Sequence, residues 1–292
     1  MVLRIACALW LVCLLSALGC GGGSLGPTST RSAPQFGHVF LLVEENHSYS
    51  EVIGNASMPY LKSLASQGGL ATRYFANVHP SIGNYFMLTT GIPKPLDDSF
   101  SGTVSDDNLV RELVKVGKSW KSYEQSLPSV GDTGGDAYPY LRHHNPFSYF
   151  TDVVGTSQAQ NLVPFSQFSA DLATGALPNF SFIAPNALDD AHDGSLAQAD
   201  AWLKNNIDPL LQSSTFKNDG LLIIVFDESD LSDVDHGGGH VAAVIVSPKA
   251  KKGFQSQTFY QHQSTLRLIL SGLGVNAFPG ASAAAPVMDE FF

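Results

Sequence analysis

Cysteine is almost missing from this chain of 292 residues: Cys7, Cys13 and Cys20 are the only three, and all lie at the N-terminus. Beyond residue 20 no disulfide can form, so a hydrophobic core must hold the rest together. About 255 residues in one domain bury roughly three quarters of their unfolded surface, which makes a covalent staple unnecessary. Basic residues are also scarce, 16 Lys and Arg against 26 Asp and Glu, for a net charge of −10. That balance argues against nucleic acid or an anionic surface held by bulk charge. It also means that handling phosphate requires a local positive charge, and a bound cation is the direct supply. There is no internal repeat and no long block of like charge.

What is present begins with a leader. Arg4 is followed by the apolar stretch 5–15 and then by Ser16-Ala17-Leu18-Gly19-Cys20. Charge, apolar segment and small residues before the cut read as a secretory signal peptide over 1–20. The apolar run falls short of the roughly 20 residues that a spanning helix needs. The residues before Cys20 resemble a bacterial lipobox, which makes Cys20 the expected lipidation site and N-terminal lipid the expected membrane contact. An ordinary cleaved signal with an incidental cysteine is the alternative. Removing 1–20 takes away Arg4 and leaves −11. Residues 21–34, rich in Gly, Ser, Thr and Pro, read as a flexible tether. One domain is expected over 35–292, in an exported cell-envelope, periplasmic or extracellular protein acting as a monomer.

Two apolar runs end alike. His38-Val39-Phe40-Leu41-Leu42-Val43 runs into Glu44-Glu45-Asn46, and Leu221-Leu222-Ile223-Ile224-Val225-Phe226 runs into Asp227-Glu228. Such unbroken runs, rich in β-branched residues, read as buried strands of a parallel sheet. Open α/β sheets bind ligands at the carboxyl ends of their strands. Oxygen ligands at two such ends can share one hard cation. Between and around them the pattern predicts helices over 59–67, 84–90, 107–116, 196–211 (interrupted near Pro209) and 264–273. Further strands are predicted over 120–124, 180–184 and 241–246. Alternating strands and helices imply an α/β fold with a mainly parallel sheet.

Several segments carry chemistry. Ser81 follows His79-Pro80 and precedes a helical stretch. The free N–H groups of a helix start favour an anion, so Ser81 fits a nucleophile whose phosphorylated form is cradled there; an N-cap serine is the plainer alternative. Residues 186–193 pack Asp189, Asp190, His192 and Asp193 together, suiting a divalent ion or a general acid held by a carboxylate. A helix N-terminus enriched in acids is the competing account, although it leaves His192 unexplained. The loop 227–240 holds Asp227, Glu228, Asp230, Asp233, Asp235, His236 and His240. Its Gly237-Gly238-Gly239 run allows close backbone approach to a ligand. A solvated acidic loop fits Asp230 and Asp233, but not Asp227 at the end of a buried strand. His144-Asn145 and His262 are weaker signals.

Taken together, the pieces Val43-Glu44-Glu45-Asn46-His47-Ser48, His79-Pro80-Ser81-Ile82-Gly83-Asn84-Tyr85, His144-Asn145-Pro146-Phe147, Pro185-Asn186 through Ser195, Asp200-Ala201-Trp202-Leu203 and Phe226-Asp227-Glu228 resemble the phosphoesterase family of bacterial acid phosphatases and non-haemolytic phospholipases C. That family belongs to the alkaline-phosphatase-like superfamily. The resemblance spans about 36–292 and lies nearest the secreted acid phosphatases acting on phosphomonoesters, phosphoinositide 3-phosphates included.

The resemblance implies an alkaline-phosphatase-like three-layer sandwich with a mainly parallel central sheet. It implies a metal-dependent phosphomonoesterase with a phosphoserine intermediate, acting on a small-molecule or lipid phosphate ester. In it Glu45, Asn46, Asp227 and Glu228 are the metal ligands, Ser81 the nucleophile and His192 the general acid. His79, Asn84, His144 and Asn145 are expected at the substrate. Asp190, Asp193, His236 and His240 are the possible additions to the metal or phosphate site. One divalent ion (Zn, Mg, Mn or Ca) is expected, because the full two-zinc histidine set is not evident. A phospholipase C-like phosphodiesterase is the alternative at the same site. A non-catalytic anion-binding surface lipoprotein is the alternative of another kind.

Overall fold

The computed structural model describes residues 33–94 and 97–292. The signal segment, Cys20 and the tether up to residue 32 lie outside the described residues. In chain order the elements are β1 (His38–Glu44), α1 (Tyr49–Val52), α2 (Pro59–Gln67), β2 (Gly69–Ala71), β3 (Tyr74–Phe75), α3 (Ser81–Thr90), α4 (Leu109–Lys115) and β4 (Trp120–Glu124). There follow β5 (Leu162–Pro164), α5 (Ser166–Thr174), β6 (Phe180–Ala184), α6 (Leu196–Gln212), α7 (Ser214–Asp219), β7 (Gly220–Phe226), β8 (Ala243–Val246), β9 (Phe254–Ser256), β10 (Tyr260–Gln261) and α8 (His262–Gly272). Among the described residues no helix is long and apolar enough to cross a membrane.

Eight strands form one sheet in the order β5-β4-β6-β1-β7-β8-β2-β9, and β3 pairs with β10 apart from it. β1 lies between β6 and β7, parallel to both. β8 runs antiparallel to its neighbours β7 and β2. β1 and β7 are the apolar runs of the sequence, and all seven residues of β7 are buried. Burial on both faces is what a central parallel strand requires, and it explains why neither run alternates with polar residues.

Alternate residues still point to opposite faces. Phe40 packs against Phe168 of α5 and Phe216 of α7. Leu41 lies opposite Phe182 of β6, and Phe182 meets Tyr85 of α3. The sheet is therefore covered on both sides, with α3 on the Leu41 side. Continuing that alternation past the strand carries Glu45 to the α3 side and Glu44 to the other.

Three sequence expectations change. α6 runs unbroken from Leu196 to Gln212 with Pro209 inside it; the proline forgoes one i→i−4 hydrogen bond without ending the helix. α3 begins at Ser81, with Pro80 in the N-cap position, rather than at Asn84. The acids of 186–193 precede no helix directly, since α6 starts at Leu196 and is capped by Ser195. They occupy the loop after β6.

Candidate active site

The strand ends, the start of α3 and the loop after β6 meet at one place. Asn46 follows β1 with a φ of 54°, a left-handed conformation that asparagine tolerates better than most residues. This turn lets the Asn46 N–H reach Asp227 Oδ1 at 3.3 Å, tying the end of β1 to the end of β7. Ser81 Oγ lies 3.2 Å from Glu45 Oε2, 3.3 Å from Asn46 Oδ1 and 3.3 Å from Glu228 Oε1. Ser81 does not cap its helix: its hydroxyl faces the four residues Glu45, Asn46, Asp227 and Glu228. A cleft of about 440 Å³ opens onto it, lined by Ser81, Asn46, Asp98, His192, Glu228 and Leu231 among others.

Negative charge is crowded there. Glu45 and Asp227 are fully buried and Glu228 nearly so. Burial, followed by the Asp227 and Asp190 carboxylates, holds the Glu45 carboxyl well above the usual carboxylate range. Burial and then Asp227 push Glu228 up to about 9. Burial pushes Asp227 to about 6 and Asp190 to about 8. No lysine or arginine is among the described residues lining the cleft. Carboxylates packed this way reject one another unless a cation sits among them.

The donor set fits a hard divalent cation. It consists of carboxylate, amide and hydroxyl oxygens, the ligands such ions take. Asp227 Oδ2 is buried with no hydrogen-bond partner. Asn46 Oδ1 faces only acceptor oxygens; with the amide turned over, its nitrogen would donate to Glu45 Oε2, Ser81 Oγ and Glu228 Oε1 at 3.1–3.3 Å.

Other expected residues take different places. His79 and Asn84 are occupied by the protein. His79 Nδ1 meets Glu228 Oε2 at 2.9 Å, and its Nε2 meets the Asp233 carbonyl at 3.0 Å. Asn84 accepts from the Asn77 and Val78 N–H groups and donates to the Val78 carbonyl and to Glu228 Oε2. Neither side chain has a polar atom left over for substrate. They brace Glu228 instead.

Asn145 is fully buried and donates to Tyr140 Oη, away from the lining of the cleft. His144 is buried too, with Nε2 3.4 Å from Glu45 Oε1 and Nδ1 3.2 Å from Asp190 Oδ2. Burial pushes it down to about 3, so it is neutral. Glu45, His144 and Asp190 thus form a second buried group with metal-ligating chemistry, sharing Glu45 with the first.

Asp190 also accepts from the His192 N–H at 2.8 Å. Together with the 2.7 Å bond from Asp193 N to the Ala187 carbonyl, this holds Ala191 at a φ of 76°. The turn places His192 on the cleft wall, with Nδ1 2.9 Å from Asp193 Oδ1.

His236 and His240 point elsewhere. The His236 ring packs on Phe75 and Phe259, and the His240 ring stacks between Tyr49 and Phe75 while Nε2 meets the Thr72 carbonyl. The glycines between them approach protein backbone rather than a ligand. A Cβ on Gly237 would fall 2.0 Å from the Asn77 carbonyl oxygen, and one on Gly238 2.5 Å from that of Val78. Close packing here braces the segment that leads to Ser81.

Two residues were missed in the sequence. Asp98 lines the cleft and accepts the Ile82 N–H at 3.1 Å, so a carboxylate already uses part of the helix terminus expected to cradle phosphate. Tyr85 donates to Glu45 Oε1. Its spacing of four from Ser81, one helical turn, is the signal that points to it.

The fold is alkaline-phosphatase-like, and the comparisons place the chain further. The Phosphoesterase family profile matches residues 55–276. A phosphatidylinositol-3-phosphatase of Mycobacterium tuberculosis is 34% identical over 260 residues, which cover 88% of this chain and 83% of that protein. A probable acid phosphatase of Kluyveromyces lactis is 33% identical over 243 residues, covering 79% of this chain and 56% of its relative. A solved alkaline phosphatase superfamily protein of Vibrio parahaemolyticus has a TM-score of 0.61 at 17% identity, covering 89% of this chain and 73% of that one. The chain belongs to the Phosphoesterase family and is a hydrolase of phosphoric ester bonds.

Proposed function

We propose that this protein is a metal-dependent phosphomonoesterase that works through a phosphoserine at Ser81. The observation that carries the reading is a hydroxyl within hydrogen-bond distance of the buried Glu45 and Glu228 carboxylates and the Asn46 amide, beside the buried Asp227, with no lysine or arginine among the described residues lining the cleft. Glu45, Asn46, Asp227, Glu228 and Ser81 would hold one divalent ion. When bound, that ion polarises a phosphoryl oxygen and lowers the pKa of the Ser81 hydroxyl.

Ser81 Oγ attacks phosphorus in line, and the ester oxygen leaves. His192, on the cleft wall with Nδ1 held by Asp193, is placed to protonate that oxygen. Water then attacks the phosphoserine and releases phosphate. The relatives named for acid phosphatase and phosphatidylinositol-3-phosphatase activity favour a monoester, soluble or carried on a lipid. The leader over 1–20 supports export, with Cys20 as the lipid attachment.

Hydrolysis of p-nitrophenyl phosphate by the purified protein, with and without EDTA, tests this. Activity lost on chelation and in Ser81→Ala is expected; activity that survives either change would reject the mechanism. Faster turnover of bis(p-nitrophenyl) phosphate than of the monoester would replace monoesterase by diesterase at the same site.

A further inference from the structure

Each of the three carboxylates facing Ser81 has one oxygen already engaged. Glu228 Oε2 meets His79 Nδ1 at 2.9 Å and Asn84 Nδ2 at 3.4 Å, while its Oε1 lies 3.3 Å from Ser81 Oγ. Asp227 Oδ1 accepts the Asn46 N–H, while its Oδ2 is buried and unpartnered. Glu45 Oε1 accepts the Tyr85 hydroxyl, while its Oε2 lies 3.2 Å from Ser81 Oγ. One oxygen per carboxylate is left over in every case.

Tyr85 is well built for such a task. Its hydroxyl is buried and donates to Glu45 Oε1. The ring stacks on His144 with centroids 5.4 Å apart and planes 12° apart, and it meets the edge of Phe182 at 6.3 Å. His144 Nε2 stands 3.4 Å from the same Glu45 Oε1. Because Tyr85 lies one turn beyond Ser81 on α3, one rigid helix sets both the nucleophile and the donor that orients Glu45.

We propose that Tyr85 is a positioning residue: it reserves Glu45 Oε1 and so presents Oε2 alone to the cation shared with Ser81. This rests on the reading of a cation between the strand ends. A carboxylate with both oxygens free can swing to two-oxygen binding, which would move the ion relative to Ser81. Hydrogen bonds to ligating carboxylates oppose that, and their loss costs about 10–100-fold in metal affinity or activity. A Tyr85 that merely satisfied a buried carboxyl group would affect folding of the metal-free protein and leave ion affinity alone.

The test is the Mn²⁺ dissociation constant of the purified full chain, measured by titration with manganese alone. Wild type, Tyr85→Phe, Glu45→Gln and the double variant are compared. Tyr85→Phe is expected to raise the constant about 10–100-fold. At saturating Mn²⁺ its kcat for p-nitrophenyl phosphate falls, with KM within about two-fold of wild type. In the Glu45→Gln background the added change from Tyr85→Phe vanishes, as it must for a residue acting through Glu45.

A second measurement needs no substitution. The Tyr85 hydroxyl proton, followed by NMR in tyrosine-labelled protein, stays hydrogen-bonded when Mg²⁺ is added. Wild-type Mn²⁺ affinity in Tyr85→Phe, or release of the hydroxyl on Mg²⁺ loading, overturns this role and leaves the cation reading intact. A wild-type protein that binds no Mn²⁺ overturns both.

Discussion

His79 Nδ1 stands 2.9 Å from Glu228 Oε2 while its Nε2 meets the carbonyl of Asp233. The imidazole therefore fastens a candidate metal ligand to the loop after β7 and leaves no ring nitrogen for substrate. His79→Ala is expected to weaken divalent-ion binding about 10–100-fold while KM for p-nitrophenyl phosphate at saturating ion stays near wild type. Ion titration alongside steady-state kinetics checks this. A raised KM with unchanged ion affinity would return His79 to the substrate pocket.

Metal content separates the two groups of histidine. The protein purified with its ion is expected to carry one divalent ion per chain, held by Glu45, Asn46, Asp227, Glu228 and Ser81. His236 packs on Phe75 and Phe259, so His236→Ala leaves that stoichiometry unchanged. Elemental analysis reads it directly. Two ions per chain would bring in the buried Glu45, His144 and Asp190 group.

Asp200 belongs to folding rather than chemistry. From α6 its carboxylate accepts the Tyr60 and Leu61 N–H groups at 2.9 Å each, capping the first turn of α2. Pro59 precedes them and offers no N–H of its own. Asp200→Ala is expected to cost about 1–2 kcal/mol of stability by urea denaturation. Its specific activity below the unfolding transition stays at the wild-type level.

Glu124 gives a pH signature away from the metal ligands. It is buried at the end of β4, and burial raises it from 4.5 to about 8, against the Ser122 hydroxyl, which lowers it. The folded state therefore holds a proton that the unfolded chain releases. This contribution is fully present below about pH 4.5 and is lost as pH rises through about 8. Between those values the slope is about 1.4 kcal/mol per pH unit. Glu124→Gln is expected to flatten the fall in stability between pH 5 and pH 8 relative to wild type. Parallel curves in urea would contradict this.

The strand ends were legible because a central parallel strand is written as an unbroken apolar run, and its first polar residue marks where the cleft begins. The choice of Glu45 over Glu44 rests on the family resemblance; the two-residue period of β1, once α3 is placed, carries Glu45 toward that helix. The directions of His79, Asn84, Asn145, His236 and His240 were not legible. A histidine or an asparagine spends its few hydrogen bonds on whatever tertiary packing brings near, and here that is mostly backbone, Glu228 and aromatic rings. Strands of two or three residues such as β2, β9 and β10 leave no period to read. Pro209 misled because a proline inside a helix removes one hydrogen bond and need not end it.

Ser81 is the residue on which the chemistry rests, and rapid acid quench during turnover, followed by peptide mass spectrometry, observes it directly. The expected result is a phosphoryl group on Ser81 that disappears in Ser81→Ala and after EDTA treatment. A phosphoryl group on His192 or any other side chain, or full turnover with Ser81 never modified, would contradict it.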